Sequence, residues 1–150
     1  MIHNSRGFSV IEVLMGATVF TLGMLGVAAM NIRSINGNSF AANMTEATTL
    51  ATNQMEVLMG YDYTNTQLND TDGDVAAGLD HADCGPTGTC ANKADHMTPG
   101  LGKNNIFTLY WNIAPDTPIT NCKTIKIIAK WSVKGNQRSI NIQGIKRNGN

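Results

Sequence analysis

The sequence reads as an α+β protein: a long N-terminal α-helix, membrane-spanning in its first half, packed on a small antiparallel β-sheet of three to four strands. Three observations carry that reading. Residues 10–30 are apolar almost without interruption, apart from Glu12. From Ile32 to Leu58 apolar residues recur mostly at steps of three or four, the period of a helix with one greasy face. Beyond residue 105 the period changes to two, as in half-buried strands.

Residues 10–30 make about 31 Å of helix, enough to cross a bilayer. The stripe that follows consists of Ile32, Ile35, Phe40, Met44, Ala47, Leu50, Ala51, Met55 and Leu58. Polar residues separate its members, and only Arg33, Glu46 and Glu56 are charged. The first proline is Pro86, so nothing forces a break, and a helix from residue 8 to about Met59 would extend roughly 80 Å. Gly60-Tyr61-Asp62 is the expected stop. A membrane anchor followed by a separate soluble helix is the alternative, but no cluster of turn residues lies near residue 30. The first half of this helix needs lipid or other helices on every side. The second half has one apolar face, which can hold a sheet.

Three segments of the head alternate. Phe107, Leu109, Trp111 and Ile113 share one face of a strand, with Ile106, Thr108 and Tyr110 opposite. Ile125, Ile127, Ala129, Trp131 and Val133 repeat the pattern, backed by Lys126, Lys130 and Lys134 on an expected open face. Ile140 and Ile142 continue it, and Lys134-Gly135-Asn136-Gln137 is the expected hairpin turn. Pro115 and Pro118 fall in the expected connection between the first two strands. Residues 64–104, rich in Asp, Asn, Thr and Gly, read as a long surface loop.

Net charge is zero but unevenly spread. Residues 61–116 hold eight Asp against Lys93 and Lys103, whereas residues 117–150 hold seven Lys or Arg and no acid. A basic sheet beside an acidic loop accounts for this, and nucleic acid is not expected as a partner. Arg6 is the one firm charge ahead of the apolar run, so the positive-inside rule keeps the N-terminus cytoplasmic and delivers the head across the membrane. Residues 1–7 are too short and polar for a secretory signal peptide, and no A-x-A cleavage pattern follows.

Glu12 is the anomaly of the apolar run. An ionised carboxylate in hydrocarbon costs a few kcal/mol or more, so such a residue implies a function and a partner. The surrounding Gly7-Phe8-Ser9-Val10-Ile11-Glu12-Val13-Leu14 resembles the G-F-[ST]-[LV]-[IL]-E motif of type IV pilins and type II secretion pseudopilins. Phe20-Thr21-Leu22-Gly23-Met24-Leu25-Gly26-Val27-Ala28-Ala29-Met30 is similar to the continuation in PilV-type minor pilins. Major pilins usually carry a proline where this chain has Ala29, which favours a minor subunit.

The resemblance implies a pilin-like fold and a prepilin leader, residues 1–7, removed after Gly7 by a prepilin peptidase that methylates the Phe8 amine. Residues 8–30 would be the transmembrane and assembly helix, residues 31–60 its amphipathic continuation, and residues 61–150 a head with loop 64–104 and sheet 105–147. Glu12 would pair with an amine in a growing filament. Partners would be the peptidase, other major and minor pilins or pseudopilins, and the bacterial inner membrane before assembly into a pilus or pseudopilus. The head would lie in the periplasm, where disulfides persist. A type II secretion pseudopilin is the alternative within this family.

Other chemistry is sparser. Asp70, Asp72 and Asp74 alternate as in calcium loops, but Val75 stands where the loop glycine belongs and His81 where the bidentate glutamate belongs. They are weak calcium candidates. His81, Cys84, Cys90 and His96 form a possible zinc set, against which stand a Cys84–Cys90 disulfide or a bridge from either to Cys122. With three cysteines, one remains odd. No nucleophile elbow or phosphate-binding loop occurs, so neither enzymatic activity nor a cofactor is expected. A head surface that binds DNA, calcium or a host surface is the reading from another class. Tyr61, Tyr63, Tyr110 and Trp111 beside the basic tail are its DNA version.

Overall fold

The computed structural model describes residues 9–149. A single α-helix, α1, spans Val10–Gly60. The Ser9 carbonyl opens it, accepting from the amides of Glu12 and Val13 at 3.0 and 3.2 Å. The expected start at residue 8 lies outside the described residues, and the end falls at the expected Gly60.

Every residue from Val10 to Ala42 is exposed. Phe20 is 66% and Met30 71% exposed, so this part of the helix buries no side chain. It is long and apolar enough to cross a membrane. Its few polar side chains include two threonines that are satisfied within the helix. Thr18 Oγ1 donates to the Leu14 carbonyl and Thr21 Oγ1 to the Ala17 carbonyl, at 2.5 and 2.7 Å. That pattern suits an apolar surrounding, which offers a hydroxyl no other partner.

Residues 43–149 form the head. The sheet is four-stranded and wholly antiparallel in the order β1-β2-β3-β4. The strands are β1 His96–Leu101, β2 Phe107–Pro115, β3 Cys122–Val133 and β4 Asn136–Arg147. Phe107, Leu109, Trp111 and Ile113 of β2 lie beside Trp131, Ala129, Ile127 and Ile125 of β3 in register. Their shared face packs on Ala47, Ala51 and Leu58 of α1, with Leu68 completing the cluster. Two alanines one turn apart let the helix approach closely. Full burial of Leu58 contributes about 2 kcal/mol. Of the expected stripe, the part from Ala47 onward meets the sheet, whereas Ile32, Ile35, Phe40 and Met44 remain exposed. The hairpin joining β3 to β4 turns at Lys134 and Gly135, both at positive φ (52° and 79°), as a two-residue turn matched to strand twist requires.

Three expectations are corrected here. Residues 64–104 are not simply a surface loop: they contain β1 and short 3-10 turns at Thr66–Leu68, Val75–Asp80 and Lys103–Asn105. Nor is the lysine face of the sheet open. Lys126 Nζ bonds Asp80, and Lys130 Nζ donates to the Ala82 carbonyl at 2.6 Å. Asn112, 2% exposed, donates to the carbonyls of Leu79 and His81 at 3.2 and 2.7 Å. The acidic segment therefore covers the β2 and β3 part of the second face with polar contacts, which a search for apolar periodicity does not register, while Ser139, Asn141, Gln143 and Ile145 of β4 stay exposed. Pro115 closes β2 rather than lying in the connection, while Pro118 does lie there.

Candidate functional sites in the helix and the acidic segment

Glu12 occupies the first turn of α1 and is exposed. A carboxylate there meets the amide ends of the helix, an electrostatically favourable position. Around it stand Val10, Ile11, Val13, Leu14 and Met15, each 60% exposed or more. A lone acid thus sits at the start of the stretch Val10–Ala42, in which every residue is exposed. Gly7 and Phe8, the expected processing residues, lie outside the described residues.

The acidic segment is built around Asp95, 2% exposed. Its Oδ2 accepts from the Ile113 amide at 2.8 Å, and its Oδ1 accepts from the Thr71 amide and hydroxyl at 2.5 and 3.1 Å. Its own amide donates to Asn112 Oδ1 at 2.9 Å. One carboxylate therefore ties the turn at residues 70–75 to the sheet. Asp70 shapes that turn, accepting from the amides of Gly73 and Val75 at 2.6 and 3.0 Å. Val75 takes the positive φ of 52° that a glycine would adopt more cheaply.

The fold gathers the calcium candidates. Potential ligand atoms of Asp72, Asp74 and His81 lie within 4.8 Å of one another, as do those of Asp70, Asp72 and Asp95. His81 Nδ1 is 2.7 Å from Asp74 Oδ2. Burial, with Asp72 beside it, raises the pKa of Asp74. Oxygens of Asp70 and Asp95 are already engaged by amides, so hydrogen bonding accounts for much of the cluster. Sequence reasoning missed Asp95. Its only signal was an acid immediately ahead of a short run that forms β1.

The zinc set is overturned. Cys84 and Cys90 form a disulfide, which removes both thiolates as ligands, and Cys122 is free and buried. His96 instead stacks on Trp111, with ring centroids 5.2 Å apart, and its Nε2 lies 3.0 Å from the Asn69 carbonyl. Burial lowers its pKa. Of the aromatics considered for nucleic acid, Tyr61 is exposed, whereas Trp111 is 4% exposed and donates Nε1–H to the Gln67 carbonyl at 3.1 Å. Lys123 lies over the Tyr63 ring and donates to the carbonyls of Tyr63 and Leu68 at 2.9 and 2.8 Å. Burial, with Lys146 nearby, lowers the Lys123 pKa.

No protein-family model, curated protein or solved structure matches this chain.

Proposed function

We propose that this chain is a membrane-anchored filament subunit, a prepilin-like minor pilin of the PilV kind that takes part in pilus initiation, assembly or modification. The observation that carries the reading is Glu12 in the first turn of a helix exposed from Val10 to Ala42. So large an apolar surface requires lipid or other helices around it, and a filament offers the second in exchange for the first. Glu12 then needs a cation, and the Phe8 amine freed by cleavage after Gly7 supplies one in the filament. The head works outside the membrane, on the side opposite Arg6. An α+β head on the second half of α1 suits this reading. Secretion pseudopilins share the leader motif, and the Gly23/Gly26 pattern tilts the choice towards a pilus.

Mutation separates processing from assembly. Gly7→Ala should accumulate as an uncleaved precursor in membranes. Glu12→Ala should be cleaved normally yet be lost from sheared filaments, about tenfold or more below wild type, as expected if a desolvated ion pair is broken. Wild-type incorporation of Glu12→Ala would remove the pairing role.

A further inference from the structure

The connection between β2 and β3 is braced at both ends. Its corners, Asp116 and Asn121, hold left-handed backbone (φ 51° and 65°), which Asp and Asn tolerate better than other side chains. Asp116 Oδ1 accepts from the Asn121 amide at 2.8 Å, and the Ile119 carbonyl accepts from the Cys122 amide at 3.1 Å. Thr124 Oγ1 donates to the Thr117 carbonyl at 2.7 Å, and the Asn148 amide donates to the Asn121 carbonyl at 2.9 Å. The connection is thereby tied to the end of β4, and a cavity of about 650 Å³ lies between them. A site built beforehand spares a ligand the cost of ordering it.

The lining says what fits. Ile119, 65% exposed, contributes an apolar surface, and Thr120, Asn121, Asn148 and Arg147 contribute polar ones. Among the described residues Arg147 is the one charged member of the lining. The neighbouring Lys123 and Lys146 are held by backbone carbonyls, whereas the Arg147 guanidinium has no partner among the described residues. A lone guanidinium selects an anion, and a planar carboxylate matches its paired donors. With no acid in the lining, an ammonium beside that carboxylate would go unmatched, so the adjoining nitrogen belongs to an amide. The carboxamides of Asn121 and Asn148, each a donor and an acceptor, suit such a group. We propose that this cavity binds the C-terminal end of a peptide chain from another protein. Its free carboxylate sits on Arg147 and its last side chain, an aliphatic one, lies against Ile119. This site lies wholly in the head and does not depend on the pilin reading.

The test uses the full chain in detergent micelles. The probe is N-acetyl-alanyl-valyl-leucine, titrated by calorimetry and followed through the backbone amide resonances of the protein. The free acid should bind and shift the amides of Thr120, Asn121 and Asn148. The same peptide with a C-terminal amide, and free leucine, should each bind about tenfold more weakly or worse. Arg147→Gln, at an exposed position, should abolish the preference for acid over amide and leave the tryptophan fluorescence of the folded head unchanged. Ile119→Ser should weaken the acid yet keep that preference. No binding of the acid, equal affinity for its amide or for free leucine, a preference that survives Arg147→Gln, or shifts confined to other parts of the head would each overturn the proposal.

Discussion

Asp95 shows how much of the head rests on one buried side chain. Its carboxylate holds Thr71 and Ile113 together, so removing it strands buried donors on both sides. Asp95→Ala should destabilise the head by about 3 kcal/mol. The two tryptophans, Trp111 and Trp131, both lie in the sheet, so urea unfolding followed by their fluorescence reads the head alone. His96 gives a pH signature. Burial lowers its pKa, so the unfolded chain takes up a proton that the folded imidazole resists. Its contribution to stability is complete above about pH 6.5 and declines as the pH falls below that value through the lower folded pKa. His96→Gln should flatten the fall in urea midpoint between about pH 7 and about pH 5.5. Glu12 was legible because a charge in an apolar run stands out in a one-dimensional pattern. Asp95 was not, since its partners come from Thr71 and Ile113, distant in sequence, and no period marks them.

Among the elements, α1 and strands β2 to β4 were legible from apolar periodicity, because the apolar residues each contributes to the helix–sheet interface share one face. β1 and the segment before it were not. His96–Leu101 contains Pro99 and Gly100, which argue against a strand, and it survives as an edge strand where the missing amide costs nothing. The turn from β1 to β2 is anchored to the helix by Glu46, whose Oε1 accepts from the Lys103 amide at 2.6 Å. Gly102 beside it has φ +66°, and a Cβ there would lie 2.6 Å from Phe107 Cδ2 and 2.7 Å from Glu46 Oε1. Gly102→Ala should therefore cost about 2–3 kcal/mol in the same unfolding assay, through strain and lost contact together. At its far end α1 has no basic residue in its last turn, and Lys146 of β4 serves instead, donating to the Met59 carbonyl at 2.6 Å.

Taken whole, the molecule divides its labour between two parts. Residues 10–42 bury nothing and carry Glu12, and residues 43–149 hold the sheet, the disulfide and the acidic cover. The uneven charge seen in the sequence is resolved inside the head, where Lys126 bonds Asp80 and Lys130 lies 3.5 Å from Asp83. Those two lysines help hold the acidic segment on the sheet. The central claim is that α1 belongs to a processed filament subunit, and the state of the N-terminus tests it most directly. Intact-mass and terminal-peptide spectrometry of the chain purified from its native membranes should show a protein that begins at an N-methylated Phe8. A chain that retains residues 1–7, or that begins elsewhere with an unmodified amine, would contradict it.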